Sequence, residues 1–596
     1  MKLKPKKQSR NEQSQPDQTL PSMLLAGQAD IQSRWPIVLL AAFTWVLSLP
    51  LFAPWSFWPV GYVVFVPWLV AMAVAGRSRW LYVVSYLLGA AFYLLHFRWL
   101  SETTIEGYVL CSLLYLAPLF SLVAWGTRHL HRERGLSLAV AFPLMWTLQE
   151  LIHSRGPLAF PWFLLGHSQV RFLSMIQIAD LVGVYGVSLV VAAVNGWLAD
   201  LALRTFKKKR RQPVTDVRKF RLATGFALGL WAIAFLYGQF RLYQGGQIEG
   251  PRVSVLQGDF PLFTFDNPTA ATDEDKRKAY MELAQSALAD SPDIIVFPET
   301  PWSAYLNWDT IRAGRELSDR QTLIRMADEQ EVYLVVGGMT WDPQPPGSYP
   351  KAHRFNSAFV FKPDGGSPDR YDKINLVLFG EYVPFRYAFP PLYRFLNSGP
   401  WIPAAWRDDD FEYSLTPGGE YKVFPIQAKS KPGRSFGFGV TICYEDVVPQ
   451  VFRRFILDEH GAKKADFMLN ISNDGWFGYS TQQAQHLVNC AFRAVENRVG
   501  IARSVNTGIS GFVRPDGSWY DLVQEEGRRL HAGGSGHRTA GVWLDPRITF
   551  YSRFGDLLPV GWSLIAAVGI IDAGRVGWKR WREGRRAKRG KRRGAK

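Results

Sequence analysis

Gly439-Val440-Thr441-Ile442-Cys443-Tyr444-Glu445-Asp446 is the stretch on which the reading of this chain turns. A short apolar run bounded by turn signals reads as a buried strand. Phe436–Ile442 is such a run, and Cys443 stands at its end. A lone cysteine is most often a small buried hydrophobe, so Cys443 needs company before it carries chemistry. Two further strand ends supply it. Phe297-Pro298-Glu299-Thr300 closes an apolar run with a carboxylate, and Arg370-Tyr371-Asp372-Lys373 leads into Phe379-Gly380-Glu381-Tyr382-Val383-Pro384. Alone, Glu299 reads as a solvated strand end and Lys373 as a surface lysine. Together they give a Glu, Lys, Cys order spaced by 74 and 70 residues, each at a predicted strand end or adjoining loop.

Around these points, residues 252–545 alternate short β-rich runs with helical patterns. Strands are expected at Val253–Leu256, Ile294–Phe297, Val332–Gly337, Ala358–Phe361, Phe436–Ile442, Phe467–Ile471, Ile501–Ser504 and Gly511–Val513. Helical periodicity fits Glu274–Ala289, Gln321–Gln330 and Gln482–Asn497. Such alternation predicts an α/β sandwich of roughly 300 residues. Residues 382–421 form a long aromatic, Pro/Gly-rich stretch without a period, and loops of that length tend to be functional.

The N-terminal half differs in kind. Apolar runs near 36–54, 57–76, 81–98, 108–126, 136–152, 179–203 and 222–239, with an eighth near 557–573, approach the roughly 20 residues that cross a bilayer. Arg77 and Arg79, the Arg128–Arg134 segment and the Arg204–Arg221 run fall in every second connector, and the connector at Trp99–Gly107 carries acid and no base. The positive-inside rule then places the N-terminus in the cytoplasm and the residues after the seventh span outside. The expected organisation is a disordered tail over 1–34, a seven-span membrane domain over 35–242, a periplasmic domain over 243–555, an eighth span over 556–574 and a basic cytoplasmic tail over 575–596. The fold class is thus α/β plus a transmembrane helical bundle, the sandwich inserted between the seventh and eighth of eight spans. The polar first residues lack a small-residue cleavage site, which reads as an uncleaved anchor.

Composition agrees. The chain has 596 residues and a net charge of +18, but Arg204–Arg221 holds nine Lys/Arg against one Asp and Arg575–Lys596 holds twelve against one Glu. The remainder is close to neutral. Base beside apolar runs marks topology rather than a nucleic-acid surface, so no nucleic-acid partner is expected. Three cysteines make no disulfide scaffold. Neither zinc-type spacing nor a phosphate loop occurs, so neither metal nor cofactor is expected. Cys111 and Cys490 read as packing residues, and His486 as a satisfied structural histidine.

The Glu299, Lys373, Cys443 order resembles the nitrilase superfamily, and the spans around it resemble one family within it, the bacterial apolipoprotein N-acyltransferases. Phe160-Pro161-Trp162 with Gly166 and Ser168-Gln169, then Gly183-Val184-Tyr185-Gly186-Val187-Ser188 and Asn195, look like that family's membrane motifs. Asn356-Ser357, Ser472-Asn473-Asp474-Gly475-Trp476-Phe477-Gly478, Gln485-His486, Arg493 to Arg498 and Asn506 to Ser510 look like its domain motifs, and Tyr551-Ser552-Arg553-Phe554-Gly555-Asp556 like its approach to the last span. The sequence departs from the pattern at Asn375 and Leu378, where the family often has His and Pro. It also departs at Asp259-Phe260-Pro261-Leu262 and at Phe265.

The resemblance implies a four-layer αββα sandwich, an inner-membrane location and catalytic Glu299, Lys373 and Cys443. It implies supporting roles for Glu381, Tyr444, Glu445, Asn356 and Trp476, with Glu381 and Glu445 positioning Lys373 or the incoming amine. It also implies the substrates. A phospholipid, typically phosphatidylethanolamine, acylates Cys443, and the amine of an apolipoprotein's diacylglyceryl-cysteine takes the chain. A thiol must lose its proton to attack, so Glu299 is the expected base and Lys373 the expected oxyanion partner. A membrane-tethered hydrolase using the same three residues is the first rival, and a catalytically silent lipid-binding protein the second. The eight spans and their motifs favour the transferase.

Overall fold

The computed structural model describes residues 34–76, 79–156, 158–209, 216–261, 271–309, 318–346, 352–386, 388–397, 414–523 and 533–593. The expected N-terminal tail, Phe265, the middle of the basic run after Arg204, and all residues between Asn397 and Ser414 lie outside these residues.

Every expected apolar segment carries helix. α1 (Trp35–Ser48), α2 (Val66–Val74), α3 (Trp80–His96), α4 (Ile105–Arg132), α5 (Leu138–His153), α6 (Ala179–Lys209) and α7 (Val217–Tyr243) precede the sandwich, and the last helix, α12 (Leu557–Arg593), follows it. By length and composition α4, α6, α7 and residues 557–583 of α12 are long and apolar enough to cross a membrane. The segment read as 57–76 is divided: a turn of helix at Trp58–Gly61 stops before α2, and each piece has a proline in its first positions. Proline suits the first turn of a helix and not its interior. In α4 a widened π turn, Leu110–Leu116, runs up to Pro118, which cannot donate to the preceding turn. The bundle is close-packed: a Cβ on Gly196 would lie 2.2 Å from the Leu138 carbonyl oxygen, so α6 can approach α5 this closely only because residue 196 is glycine.

The remaining residues build two six-stranded sheets. Strands β1 (Ile248–Gln257), β2 (Ile294–Val296), β3 (Tyr333–Pro343), β4 (Ala352–Phe361), β5 (Asp369–Asp372), β6 (Val423–Gln427), β7 (Ser435–Ile442), β8 (Phe467–Ser472), β9 (Gly500–Val505), β10 (Gly511–Val513), β11 (Trp519–Tyr520) and β12 (Gly536–Leu544) are ordered β12-β1-β2-β3-β4-β5 and β11-β10-β9-β8-β7-β6. In each sheet the three central strands are parallel and the outer ones antiparallel.

Alternation of side chains makes the layers. Ile294, Val296, Val335, Ala358 and Val360 share a core with Val440, Ile442, Leu469 and Ile471 of the facing sheet. Their neighbours Ile295, Phe297, Leu334, Val336 and Phe359 face the other way, onto Tyr280 and Ala284 of α8 (Asp273–Ala287) and Leu323 and Ala327 of α9 (Asp319–Glu329). Beyond the second sheet lie α10 (Pro449–Arg453) and α11 (Gln482–Asn497). All sixteen residues of α11 are buried, because it is covered by β9 and β10 on one side and by membrane helix α6 on the other. The fourth layer of the αββα sandwich is therefore also the joint to the bundle.

Candidate active site

Glu299, Lys373 and Cys443 come from three strand ends at one edge of the sandwich. Glu299 follows β2, Lys373 follows β5 and Cys443 follows β7. The chain bends sharply at two of them: Thr300 has φ +44° and Cys443 φ +52°, a region that costs a non-glycine residue of order 1–3 kcal/mol. The bend at Glu299 also needs its neighbour to be small. A Cβ on Gly337 of β3 would lie 2.5 Å from Pro298 O and 2.7 Å from Glu299 Cα.

The three side chains meet. Lys373 Nζ lies 3.5 Å from Glu299 Oε1 and 2.9 Å from Glu381 Oε1. Asn356 Nδ2 donates to both carboxylates, at 2.7 Å to Glu299 Oε1 and 2.8 Å to Glu381 Oε1. The Asn473 backbone N–H donates to Glu299 Oε2 at 3.0 Å, and Val377 N–H to Glu381 Oε2 at 2.8 Å. The Cys443 thiol faces Glu299 as a hydrogen-bond partner. Of the three, Cys443 is part-exposed whereas Glu299 and Lys373 are buried.

Burial and environment set the charges. Burial opposes a charge on Lys373, but Glu381 and Glu299 outweigh it and hold the ammonium well above its ordinary value. Burial raises the Glu299 carboxyl and Glu381 adds to that, while Lys373 and Asn356 pull back; the net direction is upward from 4.5. Burial lifts the Cys443 thiol well above its ordinary 9.0, Glu299 lifts it further, and Lys373 opposes. The resting arrangement is a neutral thiol beside a carboxylate and an ammonium, which needs a base to generate the thiolate.

Supporting residues fall into two groups. Asn356 and Glu381 touch Glu299 and Lys373 directly. Glu445 is wholly buried and does not. Its Oε1 accepts from the Ile374 and Asn375 N–H groups at 2.8 and 3.0 Å, its Oε2 from Ile442 N–H at 2.9 Å, and the Tyr371 hydroxyl donates at 2.9 Å. Glu445 therefore ties the chain after Lys373 to the chain before Cys443. Tyr444 points the other way: its hydroxyl donates to Ala159 O at 3.2 Å, and its ring is parallel to those of Trp162 and Phe160 in the membrane half. Trp476 is exposed, and its carbonyl accepts from the Thr103 hydroxyl at 2.8 Å.

Sequence reasoning missed one cluster. His486 donates from Nδ1 to Asp474 at 2.8 Å and from Nε2 to Asp446 at 2.7 Å, and Arg503 pairs with both carboxylates at 3.0 Å, all four side chains being buried. Burial and Arg503 oppose a charge on His486, yet Asp446 and Asp474 hold it up at about 9. Burial would raise Asp474, but His486 and Arg503 bring it down to about 2. His486 is the satisfied structural histidine that was expected. The Asp-Gly-Trp stretch and the Gln485-His486 pair were visible, but not that one binds the other.

The membrane motifs are joints. Asp180 accepts from Arg498 and from Arg241 and Tyr237, which ties α11 to α6 and α7. Glu496 accepts from Val184 N–H at 3.0 Å, where Gly183 bends α6 at φ +64°. Trp99 and Trp162 both donate to Gln485 Oε1.

Residues 252–578 match the carbon-nitrogen hydrolase family model, and these residues contain both sheets and all three strand ends. The chain belongs to the carbon-nitrogen hydrolase family. Within that family it falls among the bacterial apolipoprotein N-acyltransferases, since residues 41–197 match the apolipoprotein N-acyltransferase N-terminal domain. An apolipoprotein N-acyltransferase of Geobacter metallireducens is 29% identical over 86% of this chain and 90% of its own. One of Bdellovibrio bacteriovorus is 28% identical over 86% of this chain and 90% of its own. Among solved structures, a nitrilase-superfamily amidase of Nesterenkonia AN1 is 14% identical and covers 53% of this chain and 97% of its own, with a TM-score of 0.33.

Proposed function

We propose that the protein transfers an acyl chain from a membrane phospholipid, through a thioester on Cys443, to the N-terminal amine of the diacylglyceryl-cysteine of apolipoproteins. The single observation that carries the chemistry is the meeting of a neutral thiol, a buried carboxylate and a buried ammonium at three strand ends. The family matches support the acyl-transfer part of the reading.

In this reading Glu299 takes the Cys443 proton as sulfur attacks the ester carbonyl carbon. The oxyanion that forms lies against Lys373 and the backbone N–H that follows Cys443. Collapse breaks the ester C–O bond, Glu299 returns the proton to the leaving oxygen, and a lysophospholipid departs. The lipoprotein amine then attacks the thioester carbonyl and gives a proton to Glu299. The thiolate leaves, and is reprotonated. Glu381 and Asn356 hold Lys373 and Glu299 in place throughout. Phosphatidylethanolamine is the donor in this proposal, and Tyr444 and Trp476 line the side that faces the bundle.

Eight spans, with the catalytic domain over 243–555 on the periplasmic face of the inner membrane, complete the proposal. Both substrates then reach the site within the leaflet they occupy, without crossing water. Incubating the purified protein with phosphatidylethanolamine and a diacylglyceryl lipopeptide should yield N-acyl lipopeptide and lysophospholipid. Release of free fatty acid in place of the amide would make it a hydrolase.

A further inference from the structure

The approach to the last helix carries a motif that the reaction does not use. Between α10 and the short helix Phe550–Phe554 lies a groove of about 570 Å³, lined by Arg453, Arg454, Asp458, Glu459, Arg553 and Phe554 among others. Its wall is built: Arg453 donates to the Ser552 carbonyl at 2.7 Å, and its guanidinium packs where Gly555 leaves room, a Cβ there falling 3.0 Å from Arg453 Nε. Arg454 lies over the Tyr421 ring. Arg553 is exposed, and among the described residues its guanidinium has no carboxylate partner. Phe554 follows it, exposed, and the apolar face of α12 begins just beyond with exposed Leu557 and Leu558. Asp458 and Glu459 also line the groove, Asp458 Oδ1 accepting from the His460 and Ala462 N–H groups and Glu459 lying 3.5 Å from His460 Nε2.

A guanidinium at Arg553, an exposed aromatic at Phe554 and an apolar helix face from Leu557, in that chain order, match the phosphate, glycerol and chain of a phospholipid. A planar guanidinium is suited to phosphate oxygens. We propose that this groove is a phospholipid-binding site separate from Cys443, taking a zwitterionic ethanolamine headgroup: phosphate on Arg553 and Arg454, ammonium toward Asp458 and Glu459, one chain along Phe554 and Leu557. The inference rests on the reading that α12 enters the bilayer.

The full chain in nanodiscs of phosphatidylethanolamine, doped with a phospholipid bearing a photoreactive group near the ester, tests it by peptide mapping of lipid adducts. Adducts should concentrate on residues 551–558. Arg553→Gln should cut them about fivefold, the effect of one basic residue at a membrane surface, and Arg553→Lys should restore most of the yield. Millimolar inorganic phosphate should not compete; competition would make the groove a site for free phosphate and overturn the proposal. Equal labelling of 551–558 in phosphatidylglycerol would overturn the ethanolamine assignment. Labelling around Leu564, Ile565 and Val568 of α12, exposed along its length, reports separately on the membrane reading. If those positions label and 551–558 does not respond to Arg553→Gln, the groove proposal alone fails.

Discussion

Replacing Glu299 by Gln changes chemistry at one atom and almost no volume. Glu299 Oε1 accepts from Asn356 at 2.7 Å and faces Lys373 at 3.5 Å, while Oε2 accepts from Asn473 N–H at 3.0 Å. The amide NH₂ has to point somewhere. Toward Lys373 it would meet a cation and the Asn356 donor, so it turns to Asn473, where donor faces donor. That mismatch costs stability by about 1–3 kcal/mol, which leaves the protein folded. The kinetic loss is larger. A general base contributes roughly a hundred- to ten-thousandfold, or roughly 3–5 kcal/mol of barrier. The thiol of Cys443, raised by burial, cannot shed its proton unaided. The assay is the rate at which the acyl adduct appears by intact mass with phospholipid alone, alongside a melting curve. The unmodified protein should gain activity as pH rises through a value above the ordinary carboxyl 4.5, since Glu299 is raised and must be ionised to act. The Gln variant should lack that rise. Adduct formation within tenfold of the unmodified rate, with the pH rise intact, would refute Glu299 as the base.

Other perturbations separate the remaining roles. Lys373→Ala removes the oxyanion charge and should slow adduct formation about a hundredfold or more; an unchanged rate would assign the oxyanion to other donors. Glu445→Ala cuts the tie between the Lys373 loop and the Cys443 turn without touching Glu299, Lys373, Glu381 or Asn356. The adduct should still form but discharge slowly to lipopeptide, and normal discharge would remove that role. Cys490→Ser and Cys111→Ser should keep turnover, Cys490 being buried in α11 and Cys111 lying in the π turn of α4; loss of adduct in either would place the acyl group elsewhere. The His486 cluster predicts a stability plateau. His486, raised from 6.5 to about 9, contributes fully below pH 6.5 and loses this as pH rises through 9. Asp474, lowered from 3.8 to about 2, contributes above pH 3.8 and loses this as pH falls through 2. Melting temperature should decline on both sides of that window, and His486→Gln should flatten the alkaline side.

Much of this was legible from particular residues. The eight expected strands are all present, because strands buried on both faces read as short apolar runs such as Ile294–Phe297. The missed ones, Asp369–Asp372, Val423–Gln427, Trp519–Tyr520 and Gly536–Leu544, lie at or next to sheet edges, where one face is wet and the apolar signal fades. Glu299 and Cys443 stand out because each follows a readable strand, whereas the strand before Lys373 is one of the missed ones and Lys373 stands out only by its order between the other two. Asn356 and Glu381 stand in readable motifs, and both hydrogen-bond to Glu299 or Lys373. The Asn473 backbone donor on Glu299 could not be read, since every residue but proline has that group. The Asp446, Asp474, His486 and Arg503 cluster was illegible for another reason: charged residues are seldom fully buried, and their pairing spans four separate elements. The broken second span shows the limit of hydropathy, which counts apolar residues and not the prolines that start a new helix.

The central claim is a covalent acyl group on Cys443. The purified protein mixed with phosphatidylethanolamine alone should gain the mass of one acyl chain. Peptide mapping should place it on Cys443, hydroxylamine should remove it, and a diacylglyceryl lipopeptide should discharge it far faster than buffer does. Cys443→Ser should gain nothing. N-acylation of lipopeptide by the Cys443→Ser protein at the unmodified rate would contradict the account.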